Sequence, residues 1–460
     1  MTDVIIETSA GPVIPVYALM EHEVADFLAG CPAFLRAFAE GAKFKGRAGE
    51  TLIAPSELGR LDQVLFGLGG AKPQAMTFRS LPAGLPAGDY RIVRAPEGVA
   101  AADIALAFAL GSYRFDRYKP RAVERPRLVA DGGGVGEVRN LAHACALARD
   151  MVNTPANDMG PLQLETIARE IAEQHGATIT VVTGEGLLEA NYPAIHAVGR
   201  AAVAARAPRM IEISWGEPGR PLVALVGKGV VFDTGGLDIK PSAGMRTMKK
   251  DMGGAAHVLA LARMIMGARL PVRLAVLVPV AENAISGDAM RPGDVLASRK
   301  GLTSEVGNTD AEGRLILADA LTRAGELEPV LTLDLATLTG AARAALGPQI
   351  PPFYTDDEDL AAEIAAAAAA VDDPLWRMPL WKGYADSIES DVADIKNDSD
   401  AWAQAGSITA ALFLQRFAPS GAWAHFDIFA WNPRGRPGLP VGGEAQAIRA
   451  LFHMLKGRFG

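Results

Sequence analysis

Seven charged residues in two short stretches carry the chemistry of this chain. The first stretch, Val226-Gly-Lys-Gly-Val-Val-Phe-Asp-Thr-Gly-Gly-Leu-Asp-Ile-Lys240, presents Lys228, Asp233 and Lys240 among glycines, and Asp251 follows soon after. The second, Asn308-Thr-Asp-Ala-Glu-Gly-Arg314, sets Asp310, Glu312 and Arg314 at every other position. In extended backbone a period of two puts those three side chains on one face. Two carboxylates that close repel unless a cation sits between them. The plain alternative is a turn of solvated charges ahead of a helix, where acidic groups favour the positive N-terminus.

The first stretch shifts that balance. Asp233 follows the apolar Val230-Val-Phe232, and a carboxylate ending a buried strand needs a partner or a metal. Asp251 precedes a helical pattern and could equally cap it. Lys228, between two glycines, could touch an anion, yet the G-x-x-x-x-G-K-[ST] spacing of a nucleotide loop is absent. So many oxygen donors suit hard or borderline divalent ions. They exceed what one ion needs and suggest two ions sharing bridging carboxylates, an arrangement that serves hydrolysis. The residues alone leave the bond open, peptide or phosphoester. None of the seven histidines stands in H-E-x-x-H spacing, which disfavours a single-zinc peptidase of that type. His257 and His425 read as packing residues, and His22 as a surface residue.

The surrounding pattern supplies elements to hold these groups. From residue 160 helices alternate with apolar strands. Leu162–His175, Gly254–Met266 and Leu315–Ala324 read as helices. Thr178–Val182, Arg209–Trp215, Leu222–Val226, Val272–Val280, Leu331–Ala336 and Trp423–Phe429 read as strands. This rhythm predicts a mainly parallel sheet flanked by helices, with ligands beyond the carboxyl ends of the strands. Lys228 and Asp233 follow one such strand, and Thr337-Leu-Thr-Gly340 follows another. Residues 1–135 predict a smaller α/β domain, with strands at Val4, Val13, Val64 and Arg91 and helices at Glu21–Leu35 and Ala101–Tyr113. Residues 136–460 read as a second, larger domain that would carry the chemistry of these charged stretches. Asp131–Gly136 reads as a linker and Glu137–Met151 as the connecting helix.

With 460 residues the chain exceeds one ordinary core, and 49% hydrophobic with 21% charged residues is usual for a globular protein. A net charge of −8 argues against nucleic acid as the main partner. Cys31 and Cys145 show no metal or redox spacing, as in a reduced, cytoplasmic protein. No signal peptide is evident at the N-terminus. The Ala-rich run Ala361–Val371 is too short and interrupted to span a membrane and reads as a surface helix.

At these motifs the chain resembles the leucyl (cytosol) aminopeptidase family. Asn308–Arg314, Gly227–Ser242 and Asp251–Ala256 match its signatures, and Arg149–Pro155, Leu335–Ala341 and Asp391–Asn397 are similar to further family segments. The resemblance spans most of residues 140–430 and is weaker before them, apart from Gly111–Lys119. It implies a metal-dependent aminopeptidase acting on short peptides, with two divalent ions, Mn or Zn. Lys228, Asp233, Asp251 and Glu312 would hold the tight ion. Asp233, Asp310 and Glu312 would hold the exchangeable one. Lys228 would ligate as a neutral amine. Lys240 would polarise the peptide carbonyl, and Arg314 would bind a bicarbonate-like anion acting as general base, seated with help from the backbone of Leu338. Met248, Thr337 and Gly340 match positions lining the pocket for the first side chain. A homohexamer is also implied, and an accessory nucleic-acid role is the alternative that some members carry.

Two departures stand out. Where many members read Asp-Ile-Ala-Gly, this chain reads Asp427-Ile-Phe-Ala430, so Phe429 replaces a small residue beside the pocket and bears on any leucine preference. Trp431–Gly443 also lacks the usual family ending.

Overall fold

The computed structural model describes residues 4–121, 124–130, 134–399 and 404–460. These form two compact units. One takes in the chain up to Ala146 with Asn432–Val441, and the other Leu147–Trp431 with Gly442–Gly460. Part of the expected linker, residues 131–133, lies outside the described residues.

The first unit is built on a six-stranded sheet of β1 (Ile5–Ile6), β2 (Val13–Met20), β3 (Thr51–Pro55), β4 (Leu61–Gly69), β5 (Gly88–Arg94) and β6 (Pro126–Val129), in the order β1-β6-β5-β2-β4-β3. All neighbours run parallel except β3 against β4. The helix Ala101–Gly111 buries Ile104 to Leu110 without a break. The single helix expected over Glu21–Leu35 is instead broken. A 3-10 turn at Glu21–Glu23 leads into Val24–Ala29, and a new helix starts at Ala33 and runs to Gly41. Pro32 lacks an N–H and disfavours helix at Cys31, so the first helix must stop there.

The second unit holds a nine-stranded sheet. Its strands are β7 (Thr178–Thr183), β8 (Arg209–Trp215), β9 (Leu222–Gly227), β10 (Gly229–Asp233) and β11 (Arg273–Asn283). Past β12 (Val295–Ala297) and β13 (Thr303–Glu305), the sheet continues with β14 (Leu331–Ala336), β15 (Pro352–Tyr354), β16 (Trp376–Arg377) and, after β17 (Ile395–Lys396), β18 (Ala422–Asp427). Its order is β16-β15-β18-β14-β9-β11-β8-β7, with β10 pairing β11. The centre, β18-β14-β9-β11, is parallel, while β8, β7 and β15 join antiparallel. This is the mainly parallel α/β sheet that the alternation implies. Every residue of β9 and of β14 is buried, as a strand covered on both faces requires.

The helix Gly253–Gly267 packs on β9, β11 and β14. It is apolar nearly all round, the pattern of a buried helix. Its start lies so close to the sheet that a Cβ on Gly254 would stand 2.1 Å from the Leu335 carbonyl oxygen. Only glycine fits, and that approach sets the adjoining turn against the strand ends. The Ala-rich helix Glu358–Ala370 buries one face through Leu360, Ala361, Ile364, Ala367 and Ala368. β12, β13 and β17 form a separate small sheet, which places the segment after Asp391 beside the loop that leads to Asn308. No helix among the described residues is long and apolar enough to cross a membrane. Among the described residues neither Cys31 nor Cys145 forms a disulfide.

Candidate metal centre

The functional side chains stand where four segments end. Lys228 lies between β9 and β10, and Asp233 is the last residue of β10. The 3-10 turn Met248–Met252 carries Met248 and Asp251. Asp310 and Glu312 lie in the loop before the helix Gly313–Gly325, whose first turn holds Arg314. Thr337 and Leu338 follow β14, and Gly340 opens the helix Gly340–Leu346.

The structure draws these charges into two linked groups. Lys228 Nζ lies 2.8 Å from Asp251 Oδ2 and 2.9 Å from Glu312 Oε1. It also donates to the Thr337 carbonyl at 3.3 Å. Thr337 Oγ1 donates to Asp251 Oδ1 at 2.8 Å. In the second group Lys240 Nζ pairs with Asp233 Oδ2 at 2.8 Å and with Asp310 Oδ1. One carboxylate oxygen from each of Asp233, Asp310 and Glu312 lies within 4.8 Å of the others, which joins the groups.

The charges do not balance. The four carboxyl groups of Asp233, Asp251, Asp310 and Glu312 outnumber the two ammonium groups that contact them, in a space where Glu312 is 1% and Asp251 2% exposed. Burial and repulsion from Asp233 push the Glu312 carboxyl up to about 8. The same two causes push Asp310 up to about 6. Burial works against the charge on Lys228, yet Asp251, Glu312 and Asp233 outweigh it and hold the amine well above its usual range. Glu312 Oε2 is buried without a hydrogen-bond donor, and Glu312 Oε1, Asp251 Oδ2 and Asp310 Oδ1 each meet only a lysine ammonium. A site with surplus buried anions and open oxygen atoms fits divalent cations.

Several residues that the sequence reading missed hold this geometry. Asn283 Nδ2 donates to Asp233 Oδ1 at 2.9 Å and to the Thr309 carbonyl at 3.0 Å. Asp238 Oδ2 accepts from the Thr309 amide at 2.7 Å. Asn397, fully buried, accepts from the Gly307 and Asn308 amides and donates to the Asn308 and Ala311 carbonyls, so it clamps the loop bearing Asp310 and Glu312. Asp238 sits inside the first motif and Asn397 inside Asp391–Asn397, so motif membership was the available signal. Asp427 Oδ1 accepts from the amides of Leu338 and Thr339 at 3.1 and 3.2 Å. The Leu338 amide is therefore committed to Asp427.

Arg314 is buried, with Nε lacking a hydrogen-bond partner, and burial lowers its pKa despite the nearby Asp398, Glu312 and Asp427. Lys250 is 6% exposed, and burial pulls its amine down to about 8, with Lys228 and Arg343 acting in the same direction against Asp251. His257 is fully buried, with Nδ1 2.6 Å from the Gly253 carbonyl and Nε2 accepting from the Gln446 amide. His425 Nδ1 bonds Asp334. Both histidines pack rather than join the cluster.

The family model of the cytosol aminopeptidase catalytic domain matches residues 146–452, and that of the M17 aminopeptidase N-terminal domain matches residues 14–130. The chain belongs to the cytosol aminopeptidase family. A probable cytosol aminopeptidase of Geobacter sp. (strain M21) is 38% identical over 93% of this chain and 92% of its own. The crystal structure of a cytosol aminopeptidase from Coxiella burnetii superposes with a TM-score of 0.95 at 43% identity, covering 99% of this chain and all of that one. The bottromycin maturation enzyme BotP, in complex with Mn, gives 0.87 at 36% identity over 97% and 99% of the two chains. Membership makes the chain a metal-dependent aminopeptidase, an exopeptidase of the hydrolase class.

Proposed function

We propose that this cytosol aminopeptidase family member releases the first residue of short peptides at a two-cation centre held by Lys228, Asp233, Asp251, Asp310 and Glu312. The observation that carries this is the buried Glu312 carboxylate between Asp233, Asp251 and Asp310, whose Oε1 meets only the Lys228 ammonium and whose Oε2 meets no donor. Lys228, Asp233, Asp251 and Glu312 would hold one ion, and Asp233, Asp310 and Glu312 the other, with Asp233 and Glu312 shared. Mn or Zn suits such donors. Ions there would supply Lewis acidity and lower the pKa of a reacting water.

The chain's own groups do the rest. Lys228 would help hold an ion as a neutral amine, its Nζ proton passing to solvent as the ion enters. Lys240, with Asp233 and Asp310 holding its amine well above the usual range despite burial, stays charged and faces the charge that develops on the peptide carbonyl oxygen. Arg314, buried with an open Nε, holds a bicarbonate-like anion as proton acceptor. With its amide taken by Asp427, Leu338 lines that anion site rather than donating to it. Met248, Thr337 and Gly340 border the space for the first side chain.

Chelation is expected to abolish cleavage of leucyl p-nitroanilide, and Mn or Zn to restore it, while an aryl phosphate stays intact. Anilide cleavage that survives full chelation contradicts this reading. We also infer a cytoplasmic homohexamer, in keeping with relatives named for the cytosol. Light scattering that returns a monomer mass removes the hexamer.

A further inference from the structure

One lysine beside the centre makes no ion pair among the described residues. Lys250 lies in the turn Met248–Met252, next to Asp251, and is 6% exposed. Its neighbours are all engaged: Lys228 with Asp251 and Glu312, Lys240 with Asp233, and Lys249 with the Asn153 carbonyl at 2.5 Å. Among the described residues no group accepts a hydrogen bond from the Lys250 ammonium, and no carboxylate pairs with it. It faces a ring instead, with Nζ 5.0 Å from the centroid of Phe429.

Phe429 is fixed for this role. Its amide and that of Ala430 donate to Gln446 Oε1 at 3.0 and 2.8 Å. The Arg343 guanidinium stands 5.6 Å from the same ring and is committed to Asp427. A cation over an aromatic face is attracted to it. The face still offers no acceptor for three directed N–H groups, which leaves them for solvent or a ligand to meet. Arg343 adds positive charge on the same ring. An anion on the ligand would meet these N–H groups, and on a peptide beside Met248 and Thr337 that anion is a carboxylate.

We propose that Lys250 is a specificity-determining residue that pairs with the side-chain carboxylate of an acidic first residue. This rests on the aminopeptidase reading above. Glutamyl and glutaminyl p-nitroanilides test it, since they share one shape, differ in charge and carry no C-terminal carboxylate. The Mn-loaded enzyme is expected to prefer the glutamyl substrate. Lys250→Met is expected to lower the glutamyl-to-glutaminyl ratio of kcat/KM by about 10- to 100-fold, and Lys250→Arg to keep part of it. A wild-type ratio below one, or a ratio that Lys250→Met leaves in place, overturns the assignment. So does equal loss on both substrates, which marks a merely structural role. A second measurement needs no variant: free glutamate should inhibit leucyl anilide cleavage more strongly than free glutamine, and equal inhibition overturns the pairing. Failure to cleave any aminoacyl anilide, the leucyl one included, sinks the aminopeptidase reading first and this inference with it.

Discussion

Asp427 and Glu312 are sealed from solvent alike, at 0% and 1% exposure, and meet opposite fates. Asp427 accepts from two amides, from Thr339 Oγ1 at 2.6 Å, from Ser407 Oγ at 3.2 Å and from Arg343. Burial alone would raise its pKa, yet Arg343, His425 and those hydrogen bonds keep it below the usual range. Asp373 is handled in the same manner. It accepts from the Ala447, Arg449 and Ala450 amides at the start of the helix Ile448–Phe459. Glu312 gets one ammonium, shared with Asp251, and no hydrogen bond. Burial therefore does not mark a site in this protein. What marks it is a buried charge that the chain declines to satisfy.

Neutralising each carboxylate tests the contrast most strongly. Glu312→Gln removes a charge repelled by Asp233, so the metal-free variant is expected to melt no lower than the parent. Its Mn binding, read by calorimetry, should collapse, and kcat/KM should fall about 10³-fold or more. A metal-free Glu312→Gln that unfolds easily would make Glu312 structural and dissolve the comparison. Asp427→Asn should do the reverse. Arg343 would be left facing a neutral group, at a cost of about 3–5 kcal/mol in the unfolding free energy read by urea titration. Mn affinity should hold while kcat drops, because the segment from Thr337 to Gly340 loses its anchor.

This difference also explains what could be read from sequence. Lys228 and Asp233, or Asp310 and Glu312, lie within a few residues of each other, so their spacing alone exposed them as a cluster. The parallel sheet was equally legible, because β9, β11 and β14 are apolar runs of strand length. Asp427 was legible only as a departure near Phe429, since all its donors but Ser407 lie more than eighty residues away and leave no local period. Asn397 clamps its loop across about ninety residues in the same manner. The break at Pro32 is a different case. Its cause is local, but the apolar pattern on either side hid it.

A third test concerns a buried group that is satisfied only when neutral. Gln446 donates to His257 Nε2, so Nδ1 carries the proton toward the Gly253 carbonyl. Burial pulls this histidine down to about 4. In the unfolded chain it titrates near its ordinary value of about 6.5. Above that value neither state holds the proton, and His257 leaves stability unchanged with pH. As pH falls from about 6.5 toward 4, the unfolded chain takes a proton that the fold refuses. Stability is lost through that window, by up to about 3 kcal/mol. Urea midpoints at pH 7 and pH 5 should show the loss, and His257→Gln should shrink it. An undiminished acid loss in that variant would place the sensitivity on another group.

The smallest expected effect is steric. A Cβ on Gly313 would lie 2.6 Å from both Cε and Nζ of Lys228. Lys228 reaches Asp251 and Glu312 by passing over this bare backbone at the start of the helix Gly313–Gly325. Gly313→Ala must push the ammonium aside, and overpacking of this kind costs about 1–3 kcal/mol. Because the displaced atoms belong to a would-be ligand, Mn affinity should fall more than the melting temperature does. If the melt drops while Mn binding holds, Lys228 serves packing and the cluster keeps its ions by carboxylates alone. If binding weakens first, Gly313 is bare because the chain leaves room there for a cation rather than for its own core.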